Sequence, residues 1–129
     1  MTVSLDRVKV LVVEDEYLVS ALIKEMLELA GCIVVGPVPR LSDALDAVDH
    51  ESCDAAVLDV NLAGERVDPV AEALSARDVP FMFLTGYSTG VLPAKFDHRP
   101  LVRKPFRMND LIGTLATMVR PRNCHARPA

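Results

Sequence analysis

Short apolar runs alternate along this chain with longer stretches in which apolar residues recur every three or four positions. Val8 to Val13 is apolar except for Lys9 and stops abruptly at Glu14-Asp15-Glu16. A run of this kind reads as a strand covered on both faces. Tyr17 to Ala30 follows, with Leu18, Leu22, Met26 and Leu29 at helical spacing and Gly31 placed to end the helix in a left-handed cap. Cys32 to Gly36 predicts a second strand, and Ser42 an N-cap for a helix through Ala44, Leu45 and Val48. Ala55 to Leu58 predicts a third strand, closed by Asp59. Asp68-Pro69 predicts a helix start, with Asp as cap, Pro in the first turn, and Val70, Ala71, Ala73 and Leu74 on the apolar side. Pro80 to Leu84 and Leu101 to Arg103 predict the fourth and fifth strands. Leu111, Ile112, Leu115, Met118 and Val119 form the inner stripe of a last helix.

Strand and helix alternate throughout, which implies an α/β fold: a parallel sheet, doubly wound, with helices on both faces. The weak place is 85–100, where Gly90, Pro93 and Pro100 interrupt the expected fourth helix. Glycine and proline both oppose helix, so this helix is expected to be short, late-starting or mobile. With 129 residues the chain is expected to be one domain, 1–129, with a core over about 8–119 and a frayed tail at 120–129.

Composition narrows the class. Half of the residues are hydrophobic, a quarter are charged, and the net charge is −4. That fits a globular domain and disfavours nucleic acid, whose binders present a basic face. No apolar run approaches the roughly 20 residues that span a bilayer. The start of the chain lacks the basic region and small-residue cleavage site of a signal peptide. The expected location is the cytoplasm, with no membrane contact. Cys32, Cys53 and Cys124 match no zinc spacing, and His50, His98 and His125 form no i,i+4 pair. All six read as packing, surface or loop residues.

The chemistry lies at the strand ends. In an open parallel sheet, ligands bind outside the carboxyl ends of the strands. Here those ends carry Glu14 and Asp15 on the first strand, Asp59 on the third, Thr85 on the fourth and Lys104 on the fifth. Crowded carboxylates repel one another unless a counter-charge offsets them. A lysine supplies part of it, and Mg²⁺, which prefers oxygen ligands, supplies more. A carboxylate beside such charges can attack phosphorus, while a hydroxyl and an ammonium bind the oxygens of the transferred group. Singly, each residue reads as a cap, a turn hydroxyl or a solvated lysine; their conjunction at four strand ends points to the chemistry.

The motifs VLVVEDE (10–16), AAVLDVNLAG (55–64), FLTGY (83–87) and RKPF (103–106), in this order, resemble the response-regulator receiver family over about residues 8–119. The resemblance implies a flavodoxin-like three-layer fold with strand order 2-1-3-4-5. It also implies that Asp59 is the phosphoacceptor, Asp15 a direct Mg²⁺ ligand, Glu14 a ligand through water, and Asn61 a ligand through its backbone carbonyl. Thr85 would be the switch hydroxyl and Lys104 the phosphate-binding lysine. PFMFLTGYS (80–88) and DVNLAGERVDPVA (59–71) are similar to the single-domain "FAT GUY" receivers of alphaproteobacteria, which are often partnered with HWE-type histidine kinases.

One departure stands out. Many receivers carry a rotating aromatic three residues before the lysine, and here that position is Leu101. Tyr87 is the candidate substitute, with plain loop packing as its alternative. The expected function is a stand-alone two-component regulator, not an enzyme beyond its own phosphorylation and dephosphorylation. It would take its phosphoryl group from a histidine kinase or phosphotransfer protein and act on a separate protein partner, or drain a kinase as a phosphate sink. A haloacid-dehalogenase-like phosphatase is the rival from the enzyme class. That class wants a second Asp two residues after the nucleophile, where this chain has Asn61.

Overall fold

A computed structural model of the chain describes residues 4–62, 64–86, 94–96 and 98–119. Five strands form one parallel sheet: β1 (Lys9–Val13), β2 (Ile33–Val38), β3 (Ala55–Asp59), β4 (Phe81–Thr85) and β5 (Leu101–Arg103). Their order is β2-β1-β3-β4-β5, the expected 2-1-3-4-5. Four helices cover the sheet: α1 (Tyr17–Leu29), α2 (Leu41–His50), α3 (Asp68–Ala76) and α4 (Met108–Met118). Side chains alternate across the pleat, and β1 divides accordingly. Val10 and Val12 join Ile23 and Leu27 of α1 and Leu111 and Leu115 of α4 in one core. Leu11 and Val13 join Val48 of α2 and Val70 and Leu74 of α3 in the other.

Helix ends follow local chemistry, with corrections. Gly31 has φ 94°, and the amides of Gly31 and Cys32 donate to Glu28 and Leu27, the paired bonds that close a helix with a left-handed residue. Ser42 is not the cap of α2. The extended residue before that helix is Arg40, and Leu41 already belongs to the helix, so Ser42 sits inside its first turn. Val67 caps α3, which places Asp68 in the first turn, where its carboxylate accepts from the Arg66 guanidinium.

The regular spacing of Leu18, Leu22 and Leu29 does not mark the buried face of α1. These residues are 80%, 45% and 71% exposed, whereas Ser20, Ile23 and Leu27 are buried. The faces of a helix with apolar residues on two sides are decided by which one the sheet covers, and periodicity alone does not say. Two short strands, Asn61–Leu62 and Glu65–Arg66, pair antiparallel just after β3 and were not anticipated. Between β4 and β5, the described residues contain a single 3-10 turn at Ala94–Phe96, in line with a short fourth helix. Phe96 seats this turn, with its ring 5.8 Å from Phe81 and 6.1 Å from Phe83. The expected mobility concerns 87–93 and 97 in large part, and the frayed tail concerns 120–129; both lie outside the described residues.

Beside the end of β1, the pairing register slips between Leu11 and Val13, and β2 runs on to Val38. Gly36 makes this possible with φ 96°; a Cβ there would lie 2.8 Å from the Val38 backbone nitrogen and 3.2 Å from the Val12 carbonyl oxygen. Val38 in turn accepts the Glu14 amide at 3.1 Å, so the irregularity places Glu14. Gly36→Ala is therefore expected to cost about 1–3 kcal/mol of stability. Urea unfolding would measure the loss, and amide shifts of Glu14 and Asp15 would show the displaced strand end.

Candidate functional site

The sheet register assembles the site. Val13 pairs with Leu58 and Asp59 with Leu84, so the residues after β1 and at the ends of β3 and β4 emerge side by side. Thr85 pairs with Arg103, and the Lys104 amide donates to the Thr85 carbonyl at 2.8 Å, which fixes where the lysine leaves β5. The Lys104–Pro105 bond is cis. Thr85 is buried at the end of β4.

Lys104 crosses to the other strand ends. Its ammonium lies 2.9 Å from Glu14 Oε1, 3.2 Å from Glu16 Oε1 and 3.3 Å from Asp59 Oδ2. Glu14, Asp15 and Asp59 each bring a carboxylate oxygen within 4.8 Å of the other two. Glu14 and Asp59 are buried; Asp15 is half-buried. Asn61 stands at the rim: its amide donates to Asp59 Oδ1 at 3.2 Å, and its side-chain oxygen accepts from Gly64 at 3.0 Å. The structure thus brings together Glu14, Asp15, Asp59 and Lys104, with Asn61 and Thr85 bonded at the edge. Leu101 lies on β5 paired with Phe83, partly exposed and without an aromatic ring. Tyr87 lies outside the described residues. Glu16 was not among the expected residues. The acidic triplet after β1 was its only signal, and a third acid there reads equally as a solvated start to α1.

Burial governs the electrostatics. It pushes the Glu14 carboxyl up to about 7, against the hydrogen bond from Lys104 and with help from the Asp59 charge. Burial also raises Asp59, while bonds from Glu14, Lys104 and the Asn61 amide hold it down. For Lys104, burial pulls downward, but the Glu14 bond and the Asp59 and Glu14 charges outweigh it and raise its pKa above the usual lysine range. The ammonium therefore stays charged at neutral pH. Two buried acids facing one ammonium leave negative charge to spare, a pocket suited to a hard cation or to a nucleophilic carboxylate.

Residues 10–116 match the response regulator receiver domain. The solution structure of SdrG from Sphingomonas melonis Fr1 is 43% identical with a TM-score of 0.78, over 85% of this chain and 94% of that one. The BeF3-activated conformation of SdrG from Pseudomonas melonis Fr1 is 41% identical with a TM-score of 0.72, over 90% and 97%. The receiver domain of PhyR from Erythrobacter litoralis is 26% identical with a TM-score of 0.76, over 96% of each chain. A search of curated proteins found no match.

The raised Glu14 pKa has a thermodynamic sign. The folded value, about 7, exceeds the ordinary 4.5, so the folded protein binds more protons between these limits. The corresponding stability is complete below the ordinary value and is lost as pH rises through the folded one. In metal-free buffer, Glu14→Gln should match wild type in acid and exceed it by about 1–3 kcal/mol at neutral pH, since Gln never acquires the buried charge. Urea unfolding across this pH range checks it; parallel stability curves for the two proteins would disprove it.

Proposed function

The chain belongs to the response regulator receiver domain family, the signalling modules of two-component systems, and on that premise we propose that Asp59 accepts a phosphoryl group from a histidine kinase or phosphotransfer protein and that a conformational change passes the event to a protein partner. The observation that carries this reading is the Lys104 ammonium, 3.3 Å from Asp59 Oδ2 at the carboxyl edge of the sheet, next to Thr85. An oxygen of the Asp59 carboxylate attacks phosphorus; the O–P bond forms as the P–N bond of the donor breaks, and the electron pair leaves on the imidazole nitrogen. Lys104 and the Thr85 hydroxyl then hold the oxygens of the new acyl phosphate.

The donor set fits Mg²⁺. Three carboxylates converge, and two of them are buried with one ammonium between them among the described residues. Asp15 and Asp59 would hold the ion directly, Glu14 through water and Asn61 through its backbone carbonyl. When bound, the ion supplies positive charge against which the phosphoryl oxygens are neutralised. Asn61 keeps its amide on Asp59 and its side chain on Gly64, so the loop that offers the carbonyl is tied to the acceptor.

Further readings rest on the resemblance. Leu101 removes the usual aromatic switch, so the signal would leave through Thr85 and the β4–β5 connection, with Tyr87 as the candidate aromatic. The single-domain subgroup and an HWE-type kinase are the proposed context. Among the described residues no helix is long and apolar enough to cross a membrane, and the proposed location is the cytoplasm.

Intact-mass analysis with acetyl phosphate and Mg²⁺ should show one phosphoryl adduct on wild type and none on Asp59→Asn. An adduct that persists in Asp59→Asn removes Asp59 as the acceptor. Lys104→Ala should still label, more slowly, and should lose the shift changes that spread from the site to β4 and β5. Without a donor, Mg²⁺ should shift amides of 14–16, 59–62 and 85–86, and Asp15→Asn should weaken its binding roughly tenfold or more. Shifts confined to other regions would rule out this metal site.

A further inference from the structure

The phosphoryl site leaves one of its side chains without a role. Glu16 occupies the N-cap of α1, with extended backbone at φ −84° and ψ 115°. That position favours Ser, Thr, Asp or Asn, whose short side chains accept from the first helical amides. The Glu16 side chain makes no such bond. It turns instead to Lys104, 88 residues away in sequence, and accepts from the ammonium at 3.2 Å. Its backbone amide meanwhile donates to Glu14 Oε2 at 3.1 Å, which ties the segment to the buried acid.

Lys104 therefore has anionic partners of two kinds. Glu14 and Asp59 belong to the converging carboxylates and would share their charge with a cation; Glu16 is not one of that group. The Glu16 side chain is 61% exposed, against 14% for Lys104. It stands at the mouth, 3.2 Å from the ammonium. A lysine ammonium has three donors, and here it faces three carboxylates. A phosphoryl oxygen arriving on Asp59 must displace one of them, and the exposed, non-metal partner is the one that can swing away.

Resting on the reading of Asp59 as acceptor, we propose that Glu16 is a positioning residue: it holds the Lys104 ammonium toward the start of α1 in the resting state and so sets how readily the site captures a phosphoryl group. Release of Glu16 is then part of activation. The effect works through the reach of the side chain to Lys104, not through negative charge at the mouth alone.

Glu16→Gln and Glu16→Asp separate the two. The first removes the charge. The second keeps it but shortens the side chain by one methylene, out of ion-pairing reach. Three quantities are measured: beryllofluoride affinity from amide shifts with Mg²⁺ present, the saturating labelling rate with acetyl phosphate, and Mg²⁺ affinity alone. Both variants should bind beryllofluoride more tightly and label faster by roughly two- to fivefold, the scale of a partly exposed ion pair. Mg²⁺ affinity should stay at the wild-type value, since Glu16 is not among the converging acids. A wild-type response in Glu16→Gln overturns the proposal. So does Glu16→Asp behaving as wild type while Glu16→Gln is faster, because repulsion of the anionic donor then explains everything. If wild type labels at Asp59 and the variants do not differ from it, the Glu16 role fails alone. If wild type neither labels nor takes up the mimic, the Asp59 reading fails and this one with it.

Discussion

Glu14 and Asp59 are both buried, and one ammonium, that of Lys104, lies within ion-pairing distance of each. Removing a carboxylate from water costs several kcal/mol unless an opposite charge and hydrogen bonds replace the solvent. Much of the local architecture answers that requirement. The Asn61 amide bonds Asp59, the Glu16 amide bonds Glu14, and the Thr85 carbonyl holds the Lys104 backbone in place. Even so, the offset is incomplete, and burial holds Glu14 up to about 7. Three converging carboxylates, with Glu16 at the mouth, thus crowd around the Lys104 ammonium. Such an imbalance favours a hard cation, which in the proposed reaction would offset the charge of the incoming phosphoryl group.

The sheet makes the imbalance possible. β1, β3 and β4 are covered on both faces by two separate cores, so their backbones have little freedom. Acids attached to the ends of such strands cannot drift apart to relieve their repulsion. The register slip between Leu11 and Val13, relieved by Gly36 on the neighbouring strand, extends this control past the last regular pair of β1 to Glu14 itself.

Most of this was legible in the residues. Continuous apolar runs ending in acids marked β1 and β3, and the order of strands and helices marked the parallel sheet. Glu14, Asp15, Asp59 and Lys104 could be named because strand ends converge in such a sheet. What was not legible had local causes. The two-sided apolar character of α1 hid its buried face, since Leu18 and Leu29 keep helical spacing as well as Ile23 and Leu27 do. Ser42 looked like a cap because Ser is good at capping, but the cap position is Arg40, two residues earlier. Glu16 was marked only by its place in an acidic triplet: its contact spans 88 residues and depends on where β5 releases Lys104.

That last contact changes how the resting state is best described. A lysine with a single buried partner would sit at the bottom of its well, and capture of a phosphoryl group would have to begin by breaking a desolvated ion pair. Here the ammonium is shared among three acids, and the outermost is largely in water. Exchanging an exposed contact costs about 1 kcal/mol or less, whereas breaking a buried one costs several. The distribution of partners therefore keeps Lys104 charged and localised while leaving it one inexpensive bond to give up. In the proposed phosphorylation of Asp59, Lys104 would exchange only its outermost contact, that with Glu16, and keep a buried one.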